Sequence, residues 1–168
     1  MKDISTLKDL LIEQLRELYN AEKQQYDTLV GLSNTYVSSY LDQAIRKHIG
    51  ETEVHINELE RIFHELDVPS FGEQSQAMLG LISEYNDIVE RSTDQEIRDA
   101  AIIALVQYME HFEIAGYGTV HAYAEELGLD DIAAKLLFIL KEEKRFDERL
   151  TQIALMHINK KAKSPIIF

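Results

Sequence analysis

The sequence predicts an all-α fold: a four-helix bundle whose long crossover carries a short fifth helix. Three observations predict it. Apolar residues recur at spacings of three and four along almost the whole chain, the period of a helix face. Two prolines and seven glycines in 168 residues are too few for the many turns of a β-sandwich or barrel. Four of the helical stretches are long and joined in pairs by short turns, while about 27 residues separate the pairs, as in bundles with one crossover. The length suits one domain over residues 1–168.

The first helix is expected over 6–34, with Leu7, Leu11, Leu15, Leu18, Tyr26 and Leu29 forming one stripe. After the turn at 35–38, Ser39 and Asp42 make an approximate capping pair for a helix over 39–66. That helix carries Leu41, Ile45, Leu59, Ile62 and Leu66, and Asp67-Val68-Pro69 stops it, because proline disfavours helical geometry in the residue before it. Ser70 and Glu73 have capping-box spacing and open a short helix over 73–91. Thr93 and Glu96 repeat that spacing at the start of a helix over 94–127, and Gly128 suits the position just past its end. Asp130 is placed to cap the last helix, over 131–160.

Composition removes several function classes. There is no cysteine, so disulfides, thiolate zinc sites, iron–sulfur ligation and cysteine nucleophiles are excluded. A net charge of −13 without a basic cluster argues against nucleic acid and anionic membranes and favours cations. No apolar run reaches the ~18 residues of a membrane span. The charged first fifteen residues lack a signal-peptide core, so a cytoplasmic location is expected. No nucleophile elbow or phosphate loop is present, leaving hydrolase and transferase readings unsupported.

The informative acids lie inside the apolar stripes. Extending each stripe through its helix reaches Glu22 in the first helix and His48, Glu51 and His55 in the second. It reaches Glu110 and Glu113 in the fourth, and Glu143 and Asp147 in the fifth. Glu22 and Glu51 lie twelve residues on either side of the first turn, so antiparallel packing puts both ~18 Å from it. Glu113 and Glu143 are similarly placed about the second turn. Carboxylates meeting at one level in a dry bundle repel and lose hydration, unless they are protonated, solvated or neutralised by cations. Two divalent ions offset four carboxylates, and bundles hold di-iron and di-manganese centres with such residues.

The expected metal ligands are therefore Glu22, Glu51, His55, Glu110, Glu113, Glu143 and Asp147. The spacing departs from Glu-x-x-His, because Val54 and Phe146 follow Glu51 and Glu143 by three. His55 and Asp147, four residues on, share the face equally well. Simpler readings stand beside these: His55 as a core histidine, Asp147 paired with Arg145 or Lys144 at the surface or salt-bridged across helices, and any one glutamate turned outward. His48 is expected behind the ligands or in the core. His111 points away from Glu110, and His64, His121 and His157 belong to no constellation.

At these residues the chain resembles the YciE/YciF-like family of ferritin-like bacterial proteins. The match is carried by Tyr19-Asn-Ala-Glu-Lys-Gln24, His48-Ile-Gly-Glu-Thr52, Ala77-Met-Leu-Gly-Leu-Ile82, Arg98-Asp-Ala-Ala101 and Glu110-His-Phe-Glu-Ile-Ala-Gly-Tyr-Gly-Thr119. Ala124-Glu-Glu-Leu-Gly128 and Glu142-Glu-Lys-x-x-Asp147 complete it, over about residues 4–162. The resemblance implies a ferritin-like bundle, a homodimer and a link to stress responses. It also implies that Glu22, Glu51, Glu110, Glu113 and Glu143 hold carboxylate positions of a dinuclear pattern whose histidine positions fall on Val54 and Phe146.

Two functions follow as expectations. The first is a dinuclear iron or manganese protein, with oxygen or peroxide oxidoreductase chemistry as its activity. The alternative is a non-enzymatic dimeric interaction protein with a degenerate site. Iron storage in a cage is a third, with no cage contacts identifiable in the sequence.

Overall fold

A computed structural model describes residues 3–33, 37–72 and 74–163. Its helices are α1 (Leu7–Ser33), α2 (Ser39–Glu65), α3 (Gln76–Arg91), α4 (Gln95–Glu126) and α5 (Asp130–Ile153). From Ala154 to Ile158 the chain runs on as a π-helical stretch, then makes one more turn, α6 (Asn159–Ala162). Among the described residues there is no strand. The expected all-α class and five helices are present, and the last helix departs from regular geometry after Ile153.

The ends of the helices differ in detail from the sequence expectations. Thr6 and Asp9 close a reciprocal cap at α1, with Thr6 N–H donating to Asp9 Oδ2 (3.1 Å) and Asp9 N–H to Thr6 Oγ1 (3.0 Å). At α2 the flanking residue is Ser38 and makes no side-chain cap. Its N–H donates to Asp99 Oδ2 of α4 (3.0 Å) instead, while Asp42 pairs with Arg46. The proposed cap at Ser70–Glu73 involves a residue outside those described; α3 begins at Gln76, and Ser75 Oγ accepts from Met78 N–H (3.3 Å). Asp94 caps α4, accepting from Glu96 and Ile97 N–H. Asp130 lies within the first turn of α5, where its charge suits the helix dipole.

α2 ends before Pro69 can act. Asp67, at φ 53°, and Val68 return their N–H groups to His64 and Phe63 carbonyls, a Schellman closure. Gly128, at φ 67°, makes the same closure with Leu129 on Glu125 and Ala124 at the end of α4.

Around the bundle the order is α1, α2, α5, α4, and α3 lies against α4 and α1. The guanidinium of Arg16 donates to Pro69 O (3.1 Å) near the start of α1, whereas Ser38 meets Asp99 at the opposite end. The crossover therefore runs the length of the bundle, and α4 descends antiparallel to α1. This is ferritin-like connectivity, with one long crossover between two helical hairpins.

The core is divided. One apolar cluster contains Leu29, Leu41, Ile45, Ile102, Val106 and Leu150; the other contains Leu11, Leu15, Leu59, Ile62, Val120 and Leu136. Between them lies a layer of fully buried polar side chains: Glu22, Gln25, His48, Thr52, His55, Glu110, Glu113 and Glu143. Apolar burial on both sides fixes the helices, so this layer is assembled by packing that its own residues oppose.

Candidate metal centre

Each long helix contributes to the layer through its own stripe. On α1, Glu22 and Gln25 continue the line from Leu18 to Leu29. On α2 the inner residues are His48, Thr52 and His55, at steps of four and three between Ile45 and Leu59. On α4 they are Glu110, Glu113 and Tyr117, and on α5 Glu143 and Phe146.

Two groups of potential ligand atoms result, and they share Glu143. In the first, His55 Nδ1 lies 2.8 Å from Glu143 Oε1 and 3.3 Å from Glu22 Oε1. In the second, His48 Nε2 lies 3.3 Å from Glu110 Oε1 and 3.5 Å from Glu143 Oε2. Gln25 Nε2 donates to Glu110 Oε1 (3.0 Å) and is 3.2 Å from His48 Nε2, while Tyr117 donates to Glu22 Oε1 (2.5 Å). Both oxygens of Glu113 are buried without a hydrogen-bond partner.

The electrostatics follow from burial. Loss of hydration pushes Glu110 and Glu113 well above the ordinary carboxylate range, and neighbouring carboxylates push them further. Glu22 is raised by burial as well, against the pull of His55. Burial would also raise Glu143, but His48 and His55 facing it bring it below the ordinary value. Burial opposes charge on His55, yet Glu143 and Glu22 lift it to about 12. Tyr117 is pushed well above its usual range by burial and by the facing Glu22 and Glu113. Without an ion the layer thus depends on protons to limit its own repulsion.

The donor set fits a metal ion. Glu22 Oε2, Glu110 Oε2, both oxygens of Glu113 and of Glu143, and His55 Nδ1 are all buried without an aligned hydrogen-bond partner. Native proteins leave few such atoms, and so many within one layer form a group that could hold an ion. Carboxylate oxygens and imidazole nitrogens without sulfur suit iron and manganese.

Of the seven residues expected at a centre, Glu22, His55, Glu110, Glu113 and Glu143 are brought into the layer. Glu51 and Asp147 are not. Glu51 is turned outward from His48, which it meets at Nδ1 (3.3 Å), and it also pairs with Lys47. The His48 hydrogen bond, then Lys47, lowers its carboxyl to about 2. Asp147 accepts from Gln107 Nε2 (2.9 Å) and is 3.5 Å from His111 Nε2. The reason is rotational: Thr52 and Phe146 take the inward steps, and the residues beside them face out by about 100°. His48, expected behind the ligands, lies among them. Gln25 and Thr52 carried no sequence signal, because an uncharged polar residue in a stripe is unremarkable until its neighbours are known. Phe146 stacks flat on His48, ring centroids 3.7 Å apart. Among the other histidines, His121 Nδ1 is 3.0 Å from Ala133 O and His157 stacks on Tyr40.

Fold and site together define the class: an all-α, ferritin-like bundle with a buried carboxylate–histidine layer across its middle. The chain belongs to the family described as Domain of unknown function (DUF892), which matches residues 6–163. It is 37% identical to YciF of Escherichia coli (strain K12) over 163 residues, 96% of this chain and 98% of that one. The crystal structure of that E. coli stress protein superposes with a TM-score of 0.88, covering 94% of this chain and 99% of its own. YcfI of Rhodopseudomonas palustris, for which a structural role has been suggested, is 38% identical with a TM-score of 0.87, over 91% and 98%. A Xanthomonas campestris protein shares the fold at 17% identity, with a TM-score of 0.73 over 95% and 100%.

Proposed function

We propose that this chain is a dinuclear metal-binding protein taking iron or manganese, with Glu22, His55 and Glu143 on one ion and His48, Glu110 and Glu143 on the other. Glu113 is the additional carboxylate available on α4. The observation carrying this reading is the array of buried, unpartnered carboxylate oxygens between two apolar clusters. Bound iron or manganese supplies redox chemistry toward dioxygen or peroxide. The chain's own residues exclude water and hold the ligand atoms in place: Tyr117 fixes one oxygen of Glu22, and Gln25 fixes one of Glu110. The stress designation of the E. coli relative supports a protective role for such chemistry.

Elemental analysis after aerobic loading with Fe²⁺ and Mn²⁺ tests the reading. Close to two ions per chain are expected, and less than ~0.2 per chain overturns it. A second reading, a helical structural or interaction protein, is favoured by Phe146 occupying the place of a dinuclear histidine; it requires a metal-free chain that performs its role unaltered by Glu143→Ala. We also propose a homodimer, as the resemblance to the family implies, and a cytoplasmic location, as the charged start of the chain leads one to expect. Light scattering is expected to give twice the 19.4 kDa chain mass, and a 12- or 24-subunit shell would instead indicate storage.

A further inference from the structure

Each buried histidine of the layer uses a different ring nitrogen toward the centre, and each has a carboxylate behind it. His55 turns Nδ1 toward Glu143 and Glu22, and its Nε2 lies 3.0 Å from Glu142 Oε2. His48 turns Nε2 toward Glu110 and Glu143, and its Nδ1 lies 3.3 Å from Glu51 Oε2. The two rear carboxylates are themselves tethered. Arg145 Nη2 donates to Glu142 Oε1 (2.7 Å), and Lys47 pairs with Glu51 Oε1. Both line one groove of about 320 Å³ between α2 and α5, with Lys47, Arg145 and Phe146. Their side chains are only 13% and 20% exposed, so neither is a freely moving surface acid.

We propose that Glu142 and Glu51 are positioning residues that impose opposite tautomers on the two histidines, so that His55 binds metal through Nδ1 and His48 through Nε2. This rests on the dinuclear reading and deepens it. A neutral imidazole carries one N–H, and a carboxylate accepting from that N–H leaves the lone pair on the other nitrogen. Glu142 therefore keeps the proton on Nε2 of His55, and Glu51 keeps it on Nδ1 of His48. Such rear carboxylates also raise ligand basicity and fix ring rotation, and losing one costs about 10–100-fold in metal affinity. Phe146, stacked on His48, holds that ring's plane from one face. Nothing in the spacing of Glu142 announced this role; it is reached from α5 across to α2, 87 residues away.

The test is a competition titration with Mn²⁺, and long-range ¹H–¹⁵N spectra of the histidine rings in protein loaded with diamagnetic Zn²⁺. Wild type is expected to show one ring protonated at Nε2 and one at Nδ1. Glu142→Ala is expected to weaken Mn²⁺ binding about 10–100-fold and to let His55 bind Zn²⁺ through either ring nitrogen, so that its spectrum shows a mixture of tautomers while that of His48 is unchanged. Glu51→Ala is expected to do the reverse. Glu142→Gln, which keeps an oxygen acceptor and the side-chain volume, is expected to restore the tautomer and most of the affinity, and it serves if the alanine variant does not fold. Two rings of the same tautomer, or alanine variants binding as tightly as wild type, would overturn the positioning roles alone. A wild-type chain that takes neither ion overturns the dinuclear reading and this inference with it.

Discussion

Glu113 is fully buried and both of its carboxylate oxygens lack a hydrogen-bond partner, although it sits on α4 among Met109, Tyr117 and other core residues. A carboxyl group left so unpaired costs several kcal/mol relative to water, even when protonated it satisfies few of its bonds. Replacing it with an apolar side chain of similar volume should therefore stabilise the metal-free fold. For Glu113→Met we expect a gain of about 1–3 kcal/mol in chelator, seen as a higher melting temperature. The same variant should gain less from added Mn²⁺ than wild type does. A lower melting temperature in chelator would show that Glu113 is stabilised by partners of its own. Glu110 differs in having Gln25 as a donor, so its replacement should gain less.

At the scale of the element, α4 carries two glycines one turn below the layer, and their surroundings are opposite. A Cβ on Gly116 would lie 2.6 Å from Leu18 Cδ2, where α1 and α4 approach closely, whereas at Gly118 nothing lies within 4 Å. Gly118→Ala is expected to stabilise the fold by about 1 kcal/mol, the helix propensity difference. Gly116→Ala gains the same propensity but must displace Leu18, itself 2% exposed, and should fall below it by roughly 1–3 kcal/mol. Urea denaturation midpoints measure both; equal midpoints would mean that Leu18 repacks freely. The pair matters for the site, because Leu18 is one turn before Glu22 and the α1–α4 spacing sets how far Glu22 stands from Tyr117.

For the whole molecule, the protons held by the layer make stability depend on pH. Glu22, Glu110 and Glu113 have carboxyls raised by burial, and His55 keeps its proton to about 12. Between about pH 5 and 8 the folded metal-free chain therefore binds more protons than the unfolded chain. By linkage its stability falls as pH rises through that range. Glu51 and Glu143 act elsewhere. Their lowered carboxyls contribute stability that is complete above the ordinary value of 4.5 and is lost only as pH falls below it, for Glu51 toward about 2. Differential scanning calorimetry in chelator should thus show a melting temperature that declines from pH 5 to pH 8. Saturating Mn²⁺ should flatten or reverse the decline, because ligands must lose protons to bind and affinity rises with pH. A metal-free melting temperature that rises across the range would contradict the buried, protonated layer.

The helices, their pairing and the presence of acids inside the stripes can be read along the chain alone. These are local quantities: the three-to-four period, the scarcity of turn residues and the nearly equal distances of Glu22, Glu51, Glu113 and Glu143 from their turns are all legible along the chain. Rotation about each helix axis is not. Glu51 or Thr52, Asp147 or Phe146, and Gln25 or Tyr26 differ by about one 100° step, and the choice depends on the neighbouring helices. Tertiary packing turned His48 inward beside His55, sent Glu51 and Asp147 outward, and brought Glu142 behind His55 from another helix. A period reveals that a helix has an inner face; only the helices packed against it decide where that face ends.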